Sequence, residues 1–531
     1  MNVHRILVAI ILLISACKDV SGRTHRGIHI LDQYIQEKMD NDTIPGLAMA
    51  MVHGDSMVMS KGYGWADIEM GIAMSGSTVV PIASVTKPII AAAVLQLCEK
   101  KKIDLDDAIN AYLPFAVLNP RFPDKKITIK QILTHTSSIG NGPCLWRLYH
   151  CGDPDVTLEE WAQGYFMDDG QFYDPGNFFE FSPGKGHGYS NAGYGLLAYL
   201  VEIISGLSLE DYCNTEIFDP LGMSETTFHL KNVDSARLSG LYAFESEWDL
   251  EGDLIERHGI STSIGELDVL CPYSSPVLGA GGLYTSVNQL SRFMIALMNN
   301  DNVEDTRILT TGSATMMNTP LVERDSMSGW FHDFGLGLYS VSLDNGESVW
   351  GHSGADPGIS SFMFFNVDIK LGVIAVTNSY VDIRNIIQWA FAEGYREFCS
   401  EYSSSSLPGW DRYVMESDTT LRTNRSVRVS VLCTDIPDDQ RLYIAGNHRF
   451  LGNWSPREIV LQYMGDGTWS RDFTFLNGSV IEYKITRGSW DTEALDVEGN
   501  IPSNHVLNVN SDTTLSHTIT QWKDFYSESE D

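Results

Sequence analysis

The sequence predicts a sheet covered by helices on both faces, a mixed α/β or α+β sandwich, followed by a C-terminal all-β sandwich module. Three observations predict it. Near the start, two alternating apolar runs, 47–52 and 57–63, are joined by His53-Gly54-Asp55-Ser56, the pattern of a hairpin. Far downstream, strand-like runs at 361–366 and 371–378 precede a long helical run at 383–398, with mostly helical sequence in between. After a serine-rich break, five short alternating runs, 426–432, 441–445, 458–463, 469–475 and 480–486, follow at sandwich spacing, with 513–520 as a last strand. A chain of 531 residues is too long for one ordinary core, which agrees with two or more domains.

The formal net charge of -33 argues against nucleic acid and anionic membrane surfaces as partners, because phosphate repels such a surface. Neutral substrates fit better, and the same acidity keeps an exported chain soluble. Residues 1–22 read as an export signal: Arg5 supplies the positive start, and 6–14 is an apolar run too short to span a bilayer. Ile14-Ser15-Ala16-Cys17 resembles the bacterial lipobox, which implies Cys17 as a lipidated mature N-terminus anchored at the cell envelope. The alternative is ordinary cleavage near Gly22 and secretion, which the sequons at Asn41, Asn424, Asn453 and Asn477 suit. Of the later cysteines, Cys98, Cys144, Cys151, Cys213, Cys271, Cys399 and Cys433, none shows zinc-site spacing, and the odd number leaves one unpaired. Cys144 and Cys151 flank a short loop and are the expected disulfide.

In chain order, a short helix at 32–39 leads through Ile44-Pro45-Gly46 into the hairpin. Next comes Pro81-Ile82-Ala83-Ser84-Val85-Thr86-Lys87-Pro88, followed by the apolar run 89–95, which reads as a buried helix. A serine opening such a helix lies near free backbone N–H groups, with a lysine three residues on along the same face. An alcohol needs a base within reach, and a lysine serves when burial or cationic neighbours lower its pKa. Taken alone, S-x-x-K reads far more simply as a capping serine and a solvated lysine, and only the later motifs reverse that. Amphipathic pieces at 102–113 and 127–133 lead to the polar loop around His135, where a histidine is most simply a hydrogen-bond partner. A glycine-rich loop, 181–195, then delivers Tyr189 and Asn191 to the mouth of a helix at 196–204. Gly279-Ala280-Gly281-Gly282-Leu283-Tyr284 precedes a helix at 287–298, and Trp350-Gly351-His352-Ser353-Gly354-Ala355-Asp356 precedes the late strands.

Ser84-x-x-Lys87, Tyr189-x-Asn191 and His352-x-Gly354, in that order, resemble the serine β-lactamase and penicillin-binding protein superfamily. They are most similar to the branch of class C β-lactamases, D-Ala-D-Ala carboxypeptidases, D-aminopeptidases and related esterases. The resemblance covers 28–400 and implies a β-lactamase-like sandwich. It implies that Ser84 attacks a carbonyl to form an acyl-enzyme, that Lys87 takes or aligns its proton, and that Tyr189, as a phenolate favoured by nearby cations, is the general base. Asn191 would bond the substrate amide, and the N–H groups of Ser84 and Ala355 would form an oxyanion hole beside Gly354. His352 stands where many β-lactamases carry lysine, which fits a peptidase or esterase better than a β-lactamase. The expected substrates are small peptides, β-lactams or esters. The alternative is a catalytically idle sensor or scaffold that binds polysaccharide. No H-E-x-x-H and no glycine-rich phosphate loop occurs, so neither metal nor cofactor is expected.

Residues 401–423 read as a linker and 424–525 as the second module. Leu451-Gly452-Asn453-Trp454, Glu482-Tyr483-Lys484 and Trp490 followed by Pro502-Ser503-Asn504 resemble a family 20 carbohydrate-binding, or starch-binding, module. The resemblance implies Trp454 and Trp490 as an aromatic platform for glucose rings of a starch-like polysaccharide, with Lys484 and Asn504 bonding hydroxyls. Residues 491–501 form an insertion relative to the family pattern.

Overall fold

The structure is a computed structural model. It describes residues 26–42, 44–145, 148–244, 260–264, 267–299, 307–322, 332–343, 346–398, 424–433, 436–437, 440–446, 451, 456–457, 459–476, 480–496, 499–509 and 511–526. The sequence expectations for Cys17, Cys399, Trp454 and the linker 401–423 lie outside the described residues. Two compact units are formed, the first of Met1–Gln36 and Ile44–Ser406 and the second of Glu37–Thr43 and Leu407–Asp531.

Helix α1 (Arg26–Asp42) precedes β1 (Gly46–His53) and β2 (Ser56–Asp67), the expected hairpin of the first unit, with a short β3 (Ile72–Ala73) beyond it. The late strands are β4 (Tyr339–Ser342), β5 (Ser348–Asp356), β6 (Ile359–Asn366) and β7 (Leu371–Thr377). The seven pair in the order β4-β5-β6-β7-β1-β2-β3, all antiparallel, so the sheet is of the α+β kind. Its centre is a pairing between distant parts of the chain, with β1 on β7 from Leu47↔Thr377 to His53↔Leu371. That pairing is why the hairpin is legible locally while the full sheet is not.

Helices lie on both faces, and two glycines show where. A Cβ built on Gly394 of the helix Arg384–Phe398 would strike Leu371, while one built on Gly372 would strike Met294 of the helix Val287–Met298. Adjacent strand residues point to opposite faces, so the two helices sandwich β7. The helix Lys87–Glu99, called α2, is apolar all round, and Ile89 to Leu95 are fully buried. A helix without a polar face must sit inside, and α2 carries the lysine of the first motif there. The amphipathic piece at 102–113 is a loop with a single 3-10 turn, Ile109–Ala111. Asp104 accepts from the Asp106 N–H (3.0 Å) and Asp107 from the Asp104 N–H (3.2 Å), and such local bonds compete with the helical ladder.

The disulfide differs from expectation. Cys151 bonds Cys271 across 120 residues of sequence, with their Cα atoms 5.7 Å apart, and Cys144 is a free thiol. The strands His150–Cys151 and Tyr273–Ser274 pair antiparallel and set the two sulfurs side by side. Closeness in sequence had no bearing on it.

The second unit is a β-sandwich of two four-stranded sheets. One holds Asn424–Leu432, Gln462–Gly465, Thr468–Leu476 and Thr513–Thr518; the other holds Tyr443–Gly446, Ile459–Val460, Val480–Thr486 and His505–Asn508. Val427, Val429, Ile444, Phe473, Ile481, Tyr483 and Trp522 meet in its core. The run expected as one strand at 458–463 divides at Leu461 and serves both sheets. His505–Asn508, unread in the sequence, pairs with Val480–Thr486.

The cross-link restrains a long loop of the unfolded chain. Replacing Cys151 by Ser is expected to lower unfolding free energy by about 2–4 kcal/mol in denaturant titrations, whereas Cys144→Ser should shift it by no more than about 0.5 kcal/mol.

Candidate active site

Ser84 sits in a 3-10 turn, Ala83–Thr86, that runs directly into α2. Ala83 has φ of +45°, a left-handed conformation that costs a non-glycine residue about 1 kcal/mol or more. The surroundings enforce it. Ser361 Oγ donates to the Ile82 carbonyl (2.7 Å), and the Ile82 N–H donates to Leu283 (3.0 Å). Gly354 of β5 passes so close that a Cβ there would lie 2.8 Å from the Ser84 nitrogen. Glycine is required at 354 because two backbones must touch, which brings Ala355 and Ser84 into one neighbourhood.

Lys87, the first residue of α2, is completely buried. Its Nζ lies 2.9 Å from Ser84 Oγ, 2.8 Å from Asn191 Oδ1 and 2.6 Å from the Ala280 carbonyl. As an ammonium it donates to all three. As a neutral amine its two N–H groups satisfy Asn191 and Ala280, which leaves the lone pair facing the Ser84 hydroxyl. Burial pulls its pKa down to about 7, against the opposing charge of Asp356, so both forms coexist near neutrality.

Tyr189 and Asn191 bracket Ser190, which caps the helix α3 (Asn191–Ser205) by accepting from the Gly193 N–H (2.8 Å). Helix α3 therefore begins at the motif itself, five residues before the expected apolar run. Two residues clamp this entry. His135, with φ of +57°, accepts at Nδ1 from the Ser190 N–H (3.1 Å) and through its carbonyl from the Gly188 N–H (2.9 Å). Asn141 Oδ1 accepts from the Asn191 N–H (2.7 Å). The loop histidine is a hydrogen-bond partner, as expected, whereas Asn141 carried no sequence signal. The Tyr189 hydroxyl hydrogen-bonds Ser84, and burial pushes its pKa well above the usual tyrosine range. Desolvation thus opposes the phenolate expected at Tyr189, and of the two groups it is Lys87 that titrates near neutrality.

His352, buried on β5, donates from Nδ1 to the Ser353 carbonyl (2.5 Å) and lies edge-on to Tyr339, with ring centroids 4.9 Å apart. Burial, then the nearby Lys87, drives its pKa down to about 3, so the ring is neutral. Tyr339 fixes this segment by accepting from the Ser353 N–H (2.7 Å). Asp356, at the end of β5, receives the Tyr149 hydroxyl on Oδ1 (3.2 Å), and burial pushes its pKa up to about 7. Sequence reasoning quoted Asp356 in the third motif without assigning it a role.

Ser84, Lys87, Tyr189, Asn191, His352 and Gly354 thus meet in one cleft, with Ala355 on the adjoining backbone. Among the described residues no group of histidine, cysteine and carboxylate side chains suits a metal ion. In the second unit, Trp490 is 36% exposed. Lys484, however, is paired with Glu493, and the Asn504 amide donates to Glu482 (3.0 Å), so both expected hydroxyl partners have protein partners.

The comparisons with known proteins agree with this geometry. The family model described as Beta-lactamase matches residues 31–386, and that described as Starch binding domain matches 425–519. A penicillin-binding protein of Bacillus subtilis (strain 168) is 25% identical over 337 residues, covering 64% of this chain and 68% of the relative. Protein flp of Staphylococcus aureus (strain NCTC 8325 / PS 47) is 24% identical over 353 residues, covering 66% of this chain and 62% of the relative. Two solved structures share the fold. The octameric penicillin-binding protein homologue from Pyrococcus abyssi has a TM-score of 0.59 at 20% identity, covering 90% of this chain and 100% of that one. The D-amino acid amidase from Ochrobactrum anthropi SV3 has a TM-score of 0.55 at 20% identity, covering 70% and 98%. With the motif residues assembled and the model spanning most of the chain, the protein belongs to the beta-lactamase family of serine hydrolase folds and carries a starch-binding domain at its C-terminal end.

Proposed function

We propose that this protein is an exported serine hydrolase that cleaves an ester or amide through an acyl-enzyme on Ser84, held on a starch-like glycan by its second module. The observation that carries the reading is the buried Lys87 amine, bonded to Ser84, Asn191 and Ala280. In this reading Lys87 takes the proton as Ser84 Oγ attacks the acyl carbon. The N–H groups of Ser84 and Ala355 hold the developing oxyanion, and Asn191 bonds the substrate amide. Tyr189, still protonated, gives its proton to the leaving group and is recharged by the Lys87 ammonium, so that the acyl–enzyme bond forms as the leaving-group bond breaks. Water then releases the acid.

The third motif bears on the substrate. A neutral His352 gives no fixed cation to hold a substrate carboxylate, and the group Asp356 offers on that side is a carboxyl. Neutral or cationic acyl donors therefore suit this cleft better than β-lactams or peptides with a C-terminal carboxylate. The disulfide fits an oxidising compartment, which supports the leader at 1–22, with lipidation of Cys17 as its proposed fate. The proposed organisation is a hydrolase over 28–400, a linker over 401–423 and a glycan module over 424–525.

Two measurements test this. Hydrolysis of p-nitrophenyl esters should disappear in Ser84→Ala. In the wild type, kcat/KM should climb with pH through about 7 as Lys87 loses its proton, because only the unprotonated amine accepts. An ester activity that survives Ser84→Ala overturns the assignment. On insoluble starch, Trp490→Ala should weaken retention of the full chain by about tenfold or more, the loss of one base-like stacking contact.

A further inference from the structure

The geometry points to Asp356 as the anchor for a free amino group on the acyl donor, so that the preferred substrates are esters, amides or peptides of an α-amino acid with its ammonium unblocked. This rests on the serine hydrolase reading and names the substrate class within it. Asp356 immediately follows Ala355, whose N–H is assigned to the oxyanion site, so its carboxyl borders the place where the scissile carbonyl lies. A Cβ built on Gly281 would lie 3.3 Å from the Ala83 carbonyl carbon and 3.3 Å from Asp356 Oδ2. Only a glycine therefore separates the carboxyl from the backbone entering Ser84, and any side chain there would fill that gap.

The carboxyl is under-served by the protein. Tyr149 bonds Oδ1, and among the described residues no ammonium or guanidinium forms an ion pair with Asp356. The one cation acting on it, Lys87, has its three hydrogens directed to Ser84, Asn191 and Ala280. A half-buried carboxylate with one donor is poorly solvated, and an arriving ammonium on the carbon next to the acyl carbon supplies the missing charge. The support beneath it is rigid. Tyr273 packs 5.7 Å from Tyr149, ring to ring, and donates to the Pro357 carbonyl (2.7 Å), while the Cys151–Cys271 bridge ties together the segments bearing both tyrosines. Burial alone favours the protonated acid, and ammonium binding would return it to the ionised form.

The test compares alanine p-nitroanilide, in both enantiomers, with the propionyl and N-acetylalanine p-nitroanilides, which lack or block the amine. The full-length wild type, Asp356→Asn and Ser84→Ala proteins are assayed, with p-nitrophenyl propionate as the measure of the acyl-enzyme chemistry itself. The expected result is a wild-type kcat/KM preference of about tenfold to a hundredfold for the free-amine substrate, the scale of one charge-assisted bond, falling toward unity in Asp356→Asn. This ratio distinguishes recognition from a general effect on Lys87, which would change all substrates together. Ser84-dependent ester hydrolysis without an amine preference, or with a preference that survives Asp356→Asn, overturns the inference and leaves the hydrolase reading standing. An Asp356→Asn protein inactive on every substrate also overturns it, by assigning the carboxyl to catalysis or folding. A wild type without Ser84-dependent hydrolysis of any substrate overturns both.

Discussion

The constraint on which the site depends is a lysine placed where no water reaches it. An ammonium in such a position is costly unless its hydrogens are matched, and Lys87 meets a side-chain hydroxyl, a side-chain amide and a backbone carbonyl from three separate segments. That requirement works in both directions. Lys87 must sit at the start of an apolar helix for its pKa to fall, and the glycine-rich Ala280 segment and the entry of α3 must converge on it for the charge to be tolerated.

Around that amine the molecule uses close backbone contacts rather than large side chains. Gly354 lies against the Ser84 nitrogen, and Gly281 lies between Ala83 and Asp356. The left-handed residues Ala83 and His135 stand at the two turns that deliver Ser84 and Tyr189. Strain at these points persists because the flanking hydrogen bonds over-determine the turns, which is how a mostly buried cleft keeps one hydroxyl in a fixed orientation.

Electrostatics set this cleft apart from one built to grip an anion. Burial keeps His352 neutral, and the carboxyl of Asp356 acts on Lys87, a cation whose proton is loosely held. The second unit shows the same rule on a surface: Lys484 and Asn504 have the chemistry to bond sugars, but in the folded sandwich they bond Glu493 and Glu482.

By itself the sequence determined the parts: the hairpin, the apolar helix behind Ser84, the helix 287–298, the three motifs in their order, and the alternating strands of the sandwich. These follow from periodicity and turn chemistry, which depend on neighbours along the chain. Tertiary structure alone decided the rest. The pKa shifts of Lys87, Tyr189 and His352 follow from desolvation, which no motif encodes and which opposes the phenolate expected at Tyr189. Cys151 found Cys271 rather than Cys144 because a strand pair, not loop length, brought the sulfurs together. Asn141 and Asp356 became legible only when segments far apart in sequence packed around the same hydroxyl.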